Sequence, residues 1–487
     1  MSHHFSRRWA ALGLSILSAW TVSAQAASLQ GAADKLGVQR VQSIEFSGAG
    51  RWFQFGQAPA PDLPWPQFDV SRYVASIDYA RSASRVQIQR LQTIEPDRAR
   101  PAPVVQRVDQ YVSEGRAWNV GVAPAPAAVS AQPAALDERV AEIWSTPQGF
   151  VKAALAHQAQ SRAVPGGVEV RFSAGGKVRY EGLINEQDEV TQVRTWVDNP
   201  VLGDTPYVTE FSHYVSREGV PFPLHIVRSF GGHRVLDLTV ADVKLNAVAA
   251  WSVPAEAVAA PAVKVQLDRL ADGVFYATGG THHSVVIEQR DHLVLVEAPL
   301  NEARSQALLD ALRQAFPGKP VRELVNTHLH FDHSGGLRTF VAEGARIVTH
   351  EANVPYYRQA WAQPRTLSPD RQARAPKAAR FLPLRDRVTL GEGTRRVEVL
   401  HIVDNTHNDA FALVYLPDSK ILIEADAYTP LAAGAPVPTS ANPFSVNLLE
   451  NVERRGLAVE RIAALHGPGV VSLQDLKVFI GRPVAGR

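Results

Sequence analysis

The 487-residue chain has no cysteine. Disulfides, thiolate metal ligands, a cysteine nucleophile and anchoring through a lipidated cysteine are therefore all excluded. An excess of charge of either sign is also lacking: 50 lysines and arginines against 48 acidic residues leave a formal net charge of +2. With no basic run interleaved with aromatics, nothing points to nucleic acid as a partner. After the N-terminus no segment is long and apolar enough to cross a bilayer, so no stable membrane anchor is expected.

What is present begins with an export signal. Arg7-Arg8 supplies positive charge, residues 9–22 are apolar, and Ala24-Gln25-Ala26 offers a small-x-small cleavage site. A signal peptide over 1–26 is expected, and with it a periplasmic location by the general secretory or the twin-arginine route. The remaining length exceeds one ordinary core, which predicts two domains. Pro254 and Pro261 lie among alanines and valines, and the linker is set at 256–262. It separates an N-terminal domain at 27–255 from a C-terminal domain at 263–487.

The N-terminal half reads as β-rich. Val86 and Ile88 alternate with polar neighbours, as do Val168, Val170 and Phe172, then Val193, Thr195 and Val197, then Leu236, Leu238 and Val240. Period-two alternation predicts half-buried antiparallel strands. Leu136, Val140, Ile143 and Trp144 fall at helical spacing, and Ser145-Thr146-Pro147 is a capping sequence for a second helix. Pro/Ala-rich stretches at 58–66 and 122–135 read as exposed excursions.

From residue 263 strands and helices alternate. An apolar strand at 321–325 runs into Thr327-His328-Leu329-His330-Phe331-Asp332-His333-Ser334-Gly335-Gly336, which sets three histidines and an aspartate in six positions. Alternate residues of an extended chain face one side, so His328 and His330 can grip one ion together. Where the chain bends away, Asp332 and His333 can reach a second. Imidazole and carboxylate suit zinc, iron or manganese better than calcium or magnesium.

This stretch resembles the HxHxDH motif of the metallo-β-lactamase-like superfamily. The downstream positions follow in the family's order: His407 in Asn405-Thr406-His407-Asn408-Asp409, Asp426 in Ile423-Glu424-Ala425-Asp426-Ala427, and His466 in Ala464-Leu465-His466-Gly467-Pro468-Gly469. The resemblance implies an αββα sandwich for the C-terminal domain, so the fold class is α+β with a β-rich antiparallel-sheet domain in front. It also implies that His328, His330 and His407 hold one metal ion. Asp332, His333 and His466 hold another, and Asp426 bridges the two. The cofactors expected are two divalent ions, Zn2+ or, as the alternative, iron. Such a pair supplies its own hydroxide, so the lack of an obvious serine or cysteine nucleophile is no objection.

The function this implies is an exported binuclear metallohydrolase cleaving an ester, thioester, lactone or amide in a small-molecule substrate. Asp332 is its candidate catalytic proton carrier. Two alternatives stand beside it, a non-haem iron redox enzyme on the same scaffold and a periplasmic carrier with a structural metal centre. The oligomeric state is left open. His282 and His283, in a Gly-Gly loop, are candidate pocket residues or ordinary loop residues. Arg365, Arg371, Arg374, Lys377 and Arg380 suggest a basic flap for anionic substrates, or else a solvated loop.

Overall fold

Alternating apolar residues build one long sheet from the N-terminal half. The computed structural model describes residue 1 and residues 27–123, 125–248, 251–258, 262–391 and 393–482. The rest of the expected signal peptide lies outside them, as do linker positions 259–261. Thirteen strands pair in a single antiparallel sheet made of two meanders. One runs outward from Ser43–Phe53 to Val129–Ala131; the other runs inward from Gln160–Val164 to His233–Leu245. They join where Ser43–Phe53 pairs with His233–Leu245, Ile44 opposite Leu245.

The residues that signalled these strands are the ones turned inward. Val168, Val170, Phe172, Val193, Leu236 and Leu238 all lie in one core with Ile143, Phe150 and Val151 of two helices. Those helices are Leu136–Trp144 and Pro147–Ala156; the second is capped by Thr146 Oγ1, which accepts from Gly149 N at 3.2 Å. Leu136–Trp144 touches both Ala83–Gln92 and Val190–Asn199, six steps apart in the sheet, so the sheet curls around it.

One expectation needs correcting here. The stretch at 58–66 is not an exposed excursion: Ala58, Ala60 and Trp65 are buried. It continues from strand Ser43–Phe53 and packs against the C-terminal half, with Ala58 and Trp65 in the same apolar cluster as Leu329 and Phe340. The segment is a series of bends and turns, with Leu63 N donating to Ala60 O, and not a solvated loop. Of the stretch at 122–135, residues 125–128 are exposed, but Val129–Ala131 is the edge strand of the sheet and Pro133–Ala135 a short 3-10 helix, so it is an excursion only in part.

The C-terminal half is an αββα sandwich. A seven-stranded sheet from Gln266–Ala271 to Arg380–Leu384 faces a six-stranded sheet from Arg387–Leu390 to Val470–Ser472. Val285, Ile287, Val294 and Val296 of the first lie in one fully buried cluster with Val399, Leu413, Val414 and Ile423 of the second. Helix Glu302–Ala315 covers the outer face of the first sheet through Leu308 and Leu312. Helix Pro443–Arg454 packs with the second through Leu448, Leu449 and Val452. Strand Leu293–Val296 is buried on both faces and pairs in parallel with Val321–Val325, as continuous apolar runs in covered sheets do.

Candidate metal centre

Strand ends supply most of the polar side chains that converge at one edge of the sandwich. His328 and His330 follow Val321–Val325, and Asp332 and His333 sit in the short helix Phe331–Ser334. Asp426 comes two residues after Ile421–Glu424 and His466 two after Arg461–Ala464. His407 lies in the loop between Val397–His401 and Ala412–Leu416. The structure thus brings all seven expected residues together, in two groups. His328, His330, His407 and Asp426 form one; Asp332, His333 and His466 form the other, joined there by His282; within each group the ligand atoms lie within 4.8 Å of one another.

Asp426 faces both. Its Oδ2 is 3.4 Å from His328 Nε2 and 3.1 Å from His407 Nε2. Its Oδ1 is 3.1 Å from His333 Nε2 and 3.2 Å from His466 Nε2. Asp332 Oδ2 lies 3.2 Å from His282 Nε2 and 3.7 Å from His466 Nε2.

The residues fit a pair of cations. Buried polar atoms are normally hydrogen-bonded, yet His330 Nδ1, both ring nitrogens of His333 and Asp426 Oδ1 are buried with no such partner. The opposite nitrogens of the other rings are held by the protein. His328 Nδ1 is 3.0 Å from Thr327 Oγ1, and His330 Nε2 donates to Ala58 O at 3.0 Å. Tying one nitrogen fixes the ring and leaves the other lone pair inward, as metal-binding imidazoles require. Electrostatics agree. Burial, with the positive charge of His333 beside it, pushes His328 down to about 3, and burial holds His330 well below the usual range. Both are neutral imidazoles, the form that binds metal. Against the cost of burial, the carboxylates of Asp426 and Asp332 push His333 up, and His333 in turn holds Asp426 well below the usual carboxylate range. Two such carboxylates call for positive charge at their centre.

Residues 277–473 match the family model of the metallo-beta-lactamase superfamily. The C-terminal half is a metallo-β-lactamase-superfamily domain. Its fold and its paired His/Asp groups are those of a metal-dependent hydrolase at the level of the superfamily. A segment of 78 residues, 16% of the chain, is 30% identical to the 2,4-dinitroanisole O-demethylase subunit alpha of Nocardioides sp.; the match spans 24% of that protein's length. Among solved structures, a metallo-beta-lactamase from Pontibacter korlensis is 19% identical, with 45% of this chain and 98% of that one covered and a TM-score of 0.35. A metallo-beta-lactamase from Pseudomonas aeruginosa in its mono-zinc form is 16% identical over 45% and 96%, with a TM-score of 0.36.

The centre of this metallo-β-lactamase-superfamily domain is not built by that domain alone. Residues 56–59, from the N-terminal half, lie along the motif. Gly56 O accepts from Phe331 N at 3.1 Å, and Gln57 Nε2 donates to Asp332 Oδ1 at 2.8 Å. Ala58 O accepts from both His330 Nε2 and Asn408 Nδ2, and Pro59 O accepts from Asp409 N at 2.7 Å. The approach is close: Gly56 has φ +77, and a Cβ there would stand 2.6 Å from the Phe331 ring. Arg98 adds a two-pronged ion pair to Asp409 at 2.8 and 2.9 Å. Sequence reasoning missed this arm.

Two other expectations resolve here. His282 joins the second group, while His283 turns away and donates to Gly467 O at 2.9 Å. The basic flap is a docking strap instead. Arg365 is buried and donates to the carbonyls of Asn199 and Val201. Arg371 pairs with Glu343 and Arg374 with Glu302, and Asp204 accepts from Thr366 N and Leu367 N. Arg365 is thereby withdrawn from solvent, while Arg371 and Arg374, with side chains 37% and 59% exposed, are paired with carboxylates of the same domain.

Proposed function

We propose that the chain is an exported metal-dependent hydrolase with two divalent ions at this centre, acting on an ester, thioester, lactone or amide. The observation that carries the reading is Asp426, whose two oxygens each face a separate group of imidazoles. His328, His330 and His407 would hold the first ion, Asp332, His333 and His466 the second, and Asp426 both. The ions, zinc or iron, would supply an acidified water as nucleophile and a Lewis-acid contact for the substrate oxygen.

The chain's own residues do the rest. Thr327 and Ala58 fix the rings of His328 and His330, so the first group is rigid before substrate arrives. Gln57 turns Asp332 so that Oδ2 points inward; a proton role for Asp332 requires that Gln57 release Oδ1. The side chains of Asp332 and His466 are 29% and 22% exposed while His328 has no exposure, so substrate approaches over the second group. The periplasmic location belongs to the same proposal and rests on the leader-like residues 1–26.

Metal content of mature protein purified without chelator, measured by elemental mass spectrometry, is the first test. Close to two ions per chain, together with turnover of an ester, thioester or lactone that disappears in Asp426→Ala and His330→Ala while both variants stay folded, supports the reading. The Nocardioides relative, a subunit of a 2,4-dinitroanisole O-demethylase, adds 2,4-dinitroanisole to the panel. Little metal that added zinc or iron does not restore, or turnover retained in both variants, sinks it.

A further inference from the structure

His282 stands where a ligand would stand. Its backbone forms a bridge with that of His466, and the next residue, His283, donates its N–H to Leu465 O at 2.9 Å. The loop is thereby locked to the strand end that presents His466. The ring is buried, with its centroid 3.8 Å from that of His466 and 5.3 Å from that of His333. Its Nδ1 lies 2.8 Å from Thr281 Oγ1, the arrangement that Thr327 gives His328 on the first group. In both Thr-His pairs the hydroxyl occupies Nδ1 and Nε2 is aimed at the cluster.

The side of Asp332 that His282 meets decides its role. A residue that merely oriented this carboxylate would sit on the outer oxygen, which is where Gln57 donates to Oδ1. His282 Nε2 instead lies against Oδ2, the oxygen that also faces His333 and His466 at 3.8 and 3.7 Å. It shares the space an ion would fill.

We propose that His282 is a fifth side-chain ligand of the second ion, in addition to Asp332, His333, His466 and the bridging Asp426. This rests on the reading that the two groups hold metal. It makes the two sites unlike. The first has three imidazoles and one shared carboxylate oxygen, four donors, which suits tetrahedral zinc. The second has five protein donors before any water is added, which suits ions that accept five or six ligands, iron(II), manganese(II) or cobalt(II), over zinc. The chain would carry a mixed pair with zinc in the first site.

The test uses the full chain. Metal-free protein is equilibrated anaerobically with equal amounts of Zn2+ and Fe2+, separated from free metal, and its content read by elemental mass spectrometry, for wild type, His282→Ala and His282→Gln. Wild type is expected to hold one zinc and one iron. Both variants, with unchanged circular dichroism, should keep the first ion and bind the second more weakly by more than about 100-fold, the upper end of the loss from removing an outer partner, or take zinc there instead. Cobalt-loaded protein gives a second readout: loss of His282 should raise the weak visible absorption of a six-coordinate ion toward the stronger bands of lower coordination. A weakening of about 10- to 100-fold with the zinc-to-iron ratio unchanged would make His282 an outer hydrogen-bond partner and overturn the assignment. So would variants identical to wild type. If wild type itself takes up neither metal, the metal-centre reading fails, and this inference with it.

Discussion

Replacing Gln57 with alanine tests whether the N-terminal half is part of the metal centre. The substitution leaves the backbone carbonyls of Gly56 and Ala58 in place and removes one contact, the 2.8 Å hydrogen bond to Asp332 Oδ1. A hydrogen bond to an ionised group contributes about 1.5–3 kcal/mol, and outer partners of metal ligands are worth about 10- to 100-fold in affinity. Asp332 is 29% exposed, so water replaces part of what is lost, and the lower end applies. The second ion should bind about 10- to 30-fold more weakly, while the first, held through backbone contacts to His330, should be unaffected. Competition against a chromophoric chelator resolves the two ions as separate steps. Equal affinities for both ions in wild type and variant would refute the reasoning and leave the arm as mere packing.

Asp198 is expected to make stability fall with rising pH. Burial pushes its carboxyl up to about 6 despite Arg365 nearby, and its Oδ1 is buried without a hydrogen-bond partner. A carboxyl with a raised folded-state pKa adds stability that is full below its unfolded value near 4 and is lost as pH rises through 6. Asp198→Asn should therefore stabilise the protein by about 1 kcal/mol at pH 7.5, after allowance for solvent screening, and by less at pH 4.5, as read from denaturant melts at both. Arg365→Ala should destabilise by about 2–4 kcal/mol, because it strips two buried carbonyls of their donor; Michaelis constants for anionic substrates should not change, and a selective rise for anions would restore the flap.

Much of this was legible in the sequence because it depends on local pattern. Period-two alternation located the strands that hold Val168, Val170, Leu236 and Leu238, and the capping threonine at 146 marked its helix. Residues 328–333 announce a donor cluster through their own spacing, and His407, Asp426 and His466 follow from their order after it. The arm at 56–59 was not legible, because its work is done by backbone carbonyls and one amide acting across the fold. Ala58 meets His330 at a separation of 272 residues, and no composition signals a carbonyl's direction. The arginines between 365 and 380 were visible as charge, but their partners at Asn199, Glu302 and Glu343 come from other elements. His282 was visible only as a candidate, since what aims it is the bridge to His466.

The junction of the two meanders orders events during folding. Strand Ser43–Phe53 runs directly into the arm, yet one of its neighbours, His233–Leu245, is made almost two hundred residues later. Such pairing carries high contact order and forms slowly, so as the chain leaves the ribosome the first meander waits with an open edge for the second. Only when that seam closes does the arm have a fixed root from which to reach Asp332 and His330, on a domain synthesised later still. If the centre holds metal as proposed, the arm's contacts to Asp332 and His330 would tie firm retention of that metal to the meeting of both ends of a long assembly.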